Sequence, residues 1–185
     1  MHRTLVYGVL ALSFMFMGCK EEVLPKPKAQ LRLEYPAHAS EHLEMENYRF
    51  EYNPLSRLQP KDDQSLTLDY PSMKGSIFIT YKKVDNNLEQ LLSDAQKLSY
   101  EHVVRADGIV EQPFINEQDK VFGMFYEVSG NAASQSQFYV TDSTRHFVTG
   151  SLYFYARPNY DSIYPAAVYL QRDIRKIMES LRWKE

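Results

Sequence analysis

The stretch "VFGMFYEVSGNAASQSQFYVTDSTRHFVTGSLYFYA", residues 121–156, decides the fold. Its aromatic and β-branched runs predict three strands, at residues 120–128, 135–141 and 146–156. Short polar connections join them, and connections of this length are typical of hairpins, so we expect antiparallel pairing. The segment "IVEQPFI", residues 109–115, adds a fourth strand before them.

An amphipathic helix is predicted before these strands. Asn86 and Glu89 have the spacing of a capping box at its start, and the helix is expected to end before Asp107. Its apolar stripe consists of Leu88, Leu91, Leu92, Ala95, Leu98 and Val103.

A second amphipathic helix is predicted after the strands. Asp161 or Ser162 is expected to cap it, with Pro165 in the first turn. Its apolar stripe consists of Ala167, Leu170, Ile174, Ile177, Met178 and Leu181.

The residues upstream are also predicted to form strands. Alternating patterns occur at residues 31–35, 48–53 and 65–70, and the polar segment 36–46 between the first two predicts a loop. Residues 75–84 are apolar on both faces, which implies a strand that is covered on both sides.

The order of strands, helix, four strands and helix predicts an α+β fold. We expect residues 31–185 to form a single domain, in which a twisted, mainly antiparallel sheet packs with two amphipathic helices.

The start of the chain has the build of a bacterial lipoprotein signal. Arg3 gives a basic start, and 15 uncharged residues follow it, fewer than the roughly 20 of a transmembrane helix. Gly18 stands directly before Cys19, the single cysteine of the chain. Residues 1–18 are therefore expected to be a cleaved signal peptide and Cys19 the site of lipid attachment. A cleavable signal without lipid and an uncleaved anchor are the alternatives.

Residues 19–30 are predicted to be a tether between the lipid and the domain, because Pro25 and Pro27 favour an extended path. The tripeptide Lys20-Glu21-Glu22 resembles the signal that sends some Bacteroidetes lipoproteins to the cell surface. The domain is expected in the cell envelope facing the periplasm, with surface exposure as the alternative.

Composition and motifs argue against several functions. The net charge is −3, without the concentrated basic patch that nucleic-acid binding needs. The sequence contains no Gly-rich phosphate loop, no HExxH helix and no GxSxG elbow. We therefore expect no enzyme activity, no catalytic residues and no cofactor.

Five polar residues are of the types found in metal sites or hydrolase triads. His38 and His42 could meet at a metal ion on a helix, but they lie in the predicted loop, so no metal site is expected. Asp142, Ser143 and His146 include the residue types of a hydrolase triad, but working triads assemble from distant segments. Asp and Ser are ordinary turn formers, which favours a structural role.

His102 lies near the predicted end of the first helix, where its positive charge would favour the helix dipole.

The second and third strands of the quoted stretch suggest an interaction surface. An uncharged run of amides and hydroxyls lies beside a strand whose outer face would carry Phe147, Thr149 and Ser151. Such a surface suits a protein or a glycan. Alternatively, a helix covers this face and the amides satisfy a tight loop. The candidate residues are Asn131, Ser134, Gln135, Gln137, Tyr153 and Tyr155.

Several of these stretches carry a family resemblance. "LPKPKAQLRLEYP", "NNLEQLLSDAQKLSYEH", "EQPFIN" and "VFGMFYEVSGNAASQSQFYVTDSTRHFVTGSLYFYARPNYDSIYPA" resemble the gliding motility lipoprotein family GldD of the Bacteroidetes. The resemblance implies a role in gliding motility and the associated type IX protein secretion system. It carries lipid attachment over to Cys19 and brings no catalytic residues. The order of elements also looks like the PsbP-like fold.

The resulting expectation is a membrane-anchored, non-catalytic lipoprotein that supports gliding motility and type IX secretion through protein contacts. The alternative is a lipoprotein that binds an envelope glycan or another small ligand.

Overall fold

A seven-stranded antiparallel sheet forms the framework of the protein. The computed structural model describes residues 40–62, 64–101, 106–155 and 159–184. The helices are α1 (Leu88–Tyr100) and α2 (Tyr160–Ser180). The strands are β1 (Glu41–Glu44), β2 (Tyr48–Tyr52), β3 (Arg57–Pro60), β4 (Ser65–Tyr70), β5 (Gly75–Lys83), β6 (Ala106–Asn116), β7 (Val121–Gly130), β8 (Ser134–Thr141), β9 (His146–Phe154) and β10 (Arg182–Trp183).

The strands divide into a large and a small sheet. The large sheet has the order β3-β4-β5-β9-β8-β7-β6, and the small sheet has the order β1-β2-β10. All neighbouring strands in both sheets are antiparallel. The predicted hairpins from β6 to β9 are confirmed, and so is the α+β fold with two helices in a single domain.

Helix α2 organises the main core because it contacts β2 of the small sheet and β7 and β8 of the large one. Alternate residues of β2, Tyr48, Phe50 and Tyr52, are buried in the same core. The apolar stripe predicted for this helix is confirmed. All six of its members are buried: Ala167, Leu170, Ile174, Ile177, Met178 and Leu181.

Helix α1 covers the opposite face of the large sheet over a smaller apolar cluster. Leu91 and Ala95 of the helix are buried with Val84 and Phe147. Phe147, which the sequence placed on a possible binding face, is 1% exposed, so the helix covers that part of the face. Leu98 was expected in the buried stripe but is 38% exposed.

Two expectations about strands were wrong. Residues 41–44 lie in the predicted loop, yet they form β1 and pair with β2. Residues 57–60 form β3, for which no strand was predicted. Both are outer strands with mostly exposed side chains, so they lack the apolar alternation that burial of one face imposes.

The helix starts also differ from expectation. Asn87, not Asn86, is the N-cap of α1, and its side chain accepts a hydrogen bond from the backbone N–H of Asp85 instead of capping the helix. In α2 the N-cap is Asn159, so Pro165 lies inside the helix beyond the first turn. Local spacing predicted that helices start here but not which residue starts them.

Several expectations lie outside the described residues. They are the signal and tether in residues 1–30, Cys19 included, the strand at 31–35, His38, His102 and Val103.

Proline is present in both outer strands of the large sheet. Pro60 closes β3 opposite Leu66, and Pro113 lies in the middle of β6 opposite Met124. Proline is tolerated in a sheet where its missing N–H faces away from the neighbouring strand.

Candidate functional site

The amides and hydroxyls of the predicted interaction surface are mostly buried. Ser134 is fully buried, and its hydroxyl donates to the carbonyl oxygen of Leu152 at 2.9 Å. Gln135 is 1% exposed, and its Nε2 donates to the carbonyl oxygen of Ala132 at 2.9 Å. Ser134 therefore bonds to the backbone of β9, while Gln135 satisfies a backbone group of the β7–β8 connection.

Gln137 connects the sheet to α1. Its Oε1 accepts a hydrogen bond of 2.9 Å from the hydroxyl of Ser99, and its Nε2 donates to the carbonyl oxygen of Leu98 at 3.4 Å. Both Gln137 and Ser99 are at least 98% buried. This buried hydrogen bond helps to set where α1 lies on the sheet, because Oε1 of Gln137 would lose its hydrogen-bond partner if the helix moved.

Asn131 is exposed and lies at the start of α2. Its Oδ1 accepts the backbone N–H of Tyr160, the first residue of that helix, at 2.9 Å. The side chain therefore satisfies one of the free N–H groups of the helix from a distant part of the chain.

Tyr153 and Tyr155 are the candidates that remain at the surface. Tyr153 is partly exposed and packs edge-to-face on Phe78, with 5.8 Å between ring centroids. Tyr155 is 64% exposed, and its hydroxyl lies 2.9 Å from the hydroxyl of Ser76, which donates to Asp69. Burial raises the pKa of Tyr153, so its phenol is neutral at physiological pH.

Tyr153 lies on the same face of β9 as Thr149, which lines a groove that the sequence analysis missed. Between α1 and strands β5 and β9 lies a cleft of about 280 Å³. Its walls include Lys82 and Thr149 from the strands and Leu98 and Glu101 from the helix. The alternation in "GSIFITYKK" places Thr80 and Lys82 on the face opposite Ile77 and Ile79, which is the signal that could have found it.

Asp142 and Ser143 build the β8–β9 turn. The carboxylate of Asp142 accepts the backbone N–H groups of Thr144, Arg145 and His146 at 3.0, 2.8 and 2.8 Å. Burial opposes ionisation of this carboxyl, but these hydrogen bonds outweigh it and lower its pKa. Ser143 has a φ of 66°, and its backbone N–H donates to the hydroxyl of Thr141.

His146 faces away from this turn into an aromatic cluster. Its Nδ1 lies 2.9 Å from the hydroxyl of Tyr81, and its ring stacks on Trp183 with 5.2 Å between centroids. Burial is the main cause that lowers the pKa of His146. The three residue types of a hydrolase triad therefore have separate structural partners.

A second buried polar cluster lies between β2 and α2. Asn53 Nδ2 is 3.1 Å from the hydroxyl of Tyr169 and 3.1 Å from Oδ2 of Asp173. Asp173 is 2% exposed, and burial raises the pKa of its carboxyl to about 7. This cluster is closed to solvent, so it bears on stability more directly than on binding.

The remaining site predictions concern metals and membranes. His42 is exposed in β1, and the described ranges contain no cluster of three or more His, Cys, Asp or Glu residues able to hold a metal ion. Neither of the two described helices is long and apolar enough to span a bilayer.

Comparison with known families identifies the chain. A sequence profile described as gliding motility lipoprotein GldD matches residues 20–183. The chain belongs to the GldD family. A search of curated proteins gives no match. The GldD match includes both helices and all ten strands of the described residues, together with the groove, and its name places the chain among lipoproteins of gliding motility.

Proposed function

We propose that this GldD-family protein is a non-catalytic accessory lipoprotein, anchored through a lipid on Cys19. It supports gliding motility and the associated type IX secretion machinery through contacts with other proteins. The match to the gliding motility lipoprotein family over residues 20–183 is the observation that carries the proposal.

The position of Cys19 supports the anchor. It directly precedes the matched residues and follows an uncharged apolar run. Two or three acyl chains would hold the protein firmly on a membrane, since each buried CH₂ contributes about 0.8 kcal/mol. On this proposal residues 1–18 are removed and residues 19–30 form the tether.

The outer strand β6 offers a surface for protein contacts. Val110 and Ile115 are 56% and 69% exposed on this strand. In the register with β7 they pair with Glu127 and Phe122. Because they are five residues apart on a regular strand, Val110 and Ile115 lie on opposite faces of β6, and a partner that docks along this outer strand could cover both.

The first experiment is cross-linking in living cells of the native host, followed by purification of the tagged chain. The wild type is compared with Cys19→Ala, which cannot carry the lipid. We expect motility or secretion components to be enriched with the wild type and depleted with the variant. Metabolic labelling with an alkyne fatty acid should mark the wild type alone.

A surface variant tests the protein contacts separately from the anchor. Ile115→Lys should change the free energy of unfolding by no more than about 0.5 kcal/mol, because the side chain is exposed. It should nevertheless weaken the cross-links. The accessory role would be refuted if deletion of the protein left both gliding and secretion intact.

A further inference from the structure

We propose that the groove between α1 and strands β5 and β9 binds a neutral, linear, hexose-based oligosaccharide. This inference goes beyond the accessory role, because it assigns a ligand and a site to the domain itself. We call this surface the hydroxyl groove. It comprises Thr80, Thr149, Ser151, Phe78 and Tyr153 on the sheet, with Leu98 and Glu101 on the helix.

Free hydroxyl groups form the floor of the groove. Thr80 pairs directly with Thr149 across β5 and β9, and Ser151 pairs with Phe78 in the same register. None of the three hydroxyls has a hydrogen bond to another residue in the part of the chain that the structure describes. A fourth hydroxyl, that of Thr67, is buried opposite Phe78 and has no partner among the described residues either.

Aromatic rings continue the floor at one end. Phe78 and Tyr153 are half-buried neighbours, and Tyr155 is 64% exposed beyond them. A tyrosine offers an apolar ring face together with a polar tip, which suits a sugar ring with both C–H and O–H groups. From Ser76 to Lys82 the strip is about 20 Å long, so it fits a chain of several sugars rather than a single ring.

The charges around the cleft are balanced. Lys82 and Lys97 line it together with Asp94 and Glu101. At the other end of the groove, Lys61 lies over the ring of Phe78 and Asp69 accepts the hydroxyl of Ser76. Three cations and three carboxylates give a neutral ligand both donors and acceptors, while an anionic ligand would face three like charges. This balance favours a neutral glycan over an acidic one.

The position of the groove disfavours an extended peptide. Peptides that bind sheets usually add a strand at an edge, where backbone groups are free. The hydroxyl groove lies on the face of β5 and β9, which are interior strands with hydrogen-bonded neighbours on both sides. A ligand there must use side chains, which fits sugar hydroxyls.

The test uses the chain from Lys20 onward, because every residue of the described hydrophobic core lies after residue 40. Tetra-N-acetylchitotetraose, maltotetraose and laminaritetraose are neutral, linear probes with different linkages. Each is titrated into isotope-labelled protein by NMR, and its affinity is measured by calorimetry. We expect at least one to bind, with chemical-shift changes centred on Thr80, Thr149 and Tyr153.

The deciding variant is Thr80→Val with Thr149→Val. Valine keeps the β-branched shape that suits a strand and removes only the hydroxyl, so the fold should be retained. Binding should weaken by about tenfold, the equivalent of about 1.4 kcal/mol. The control is Tyr100→Phe, which removes a hydroxyl of α1 that bonds to Glu111 of β6 and should leave the affinity unchanged.

Two outcomes would overturn the proposal. Absence of binding by all three probes at millimolar concentration would exclude a neutral hexose chain as the ligand. Equal affinity of the wild type and the double valine variant would place the sugar elsewhere on the protein. Both readouts come from the purified domain, so they are independent of the cross-linking and motility assays that test the accessory role.

Discussion

Replacing Asp173 by Asn should make the protein more stable at neutral pH. Asp173 is 2% exposed on α2, where Asn53 Nδ2 approaches its two carboxylate oxygens at 3.3 and 3.1 Å. Burial raises the pKa of this carboxyl from its ordinary value of 3.8 to about 7, although Lys176 opposes the shift. Asparagine resembles the protonated form in shape and carries no charge.

The size of the effect follows from the two pKa values. Between pH 3.8 and 7 the unfolded chain has lost this proton while the folded protein still holds it. The stability that the Asp173 carboxyl contributes is therefore fully present below pH 3.8. It is lost as pH rises to 7, by about 1.4 kcal/mol per pH unit. Over the whole window the loss is on the order of 4 kcal/mol, and Asp173→Asn should lack it.

Urea unfolding at a series of pH values from 4.5 to 8 tests this expectation. Trp183, the only tryptophan, reports unfolding by fluorescence, and far-UV circular dichroism provides a second probe. The free-energy difference between Asp173→Asn and the wild type should grow as pH rises to about 7 and then stay constant. The control is Asp94→Asn on α1, where the carboxylate is exposed and accepts a hydrogen bond from Gln90. If the curves of the wild type and Asp173→Asn ran parallel across this range, Asp173 would not be a buried, protonated group.

Three further predictions concern stability. Phe147→Ala should cost about 3–5 kcal/mol in chemical denaturation, because it empties the cluster under α1, and a cost below about 1 kcal/mol would contradict that burial. Gly123→Ala should cost about 1–3 kcal/mol, since its Cβ would overlap the carbonyl oxygen of Tyr139. Gly108→Ala should stay within about 0.5 kcal/mol, since its Cβ would meet only the hydroxyl of Ser129 at an ordinary contact distance of 3.4 Å. His146→Phe should reduce the fall in melting temperature that occurs as pH drops below 6.5. Burial lowers the pKa of His146 from 6.5, so protonation of this histidine favours the unfolded chain. If the melting temperature of the variant fell with acid as steeply as that of the wild type, His146 would be excluded as the cause of the fall.

The parts of the fold that were predictable are those where local pattern and burial agree. The hairpins from β6 to β9 follow from aromatic runs separated by short turns, and the stripe from Ala167 to Leu181 follows from helical spacing. Strands β1 and β3 were missed because an outer strand buries little and leaves no alternation in its residues.

The candidate site shows what composition cannot tell. An amide-rich run such as Ser134–Gln137 suits a binding loop and a buried hydrogen-bond network equally well. The hydrogen-bond partner of each amide decides between the two, and for Gln137 that partner is the hydroxyl of Ser99, 38 residues earlier in the chain. Asp173 was missed although a signal existed, since its spacing from Leu170 and Ile177 places it on the buried stripe of α2.

The prolines of the outer strands have a consequence for crowding. A lipid anchor would concentrate many copies in the plane of one membrane, where side-by-side encounters of domains are frequent. An unprotected sheet edge in that setting invites strand-to-strand polymerisation between neighbours. Pro60 and Pro113 remove a donor from each edge of the large sheet, so in such a layer neither edge would offer a neighbouring copy a complete row of backbone donors.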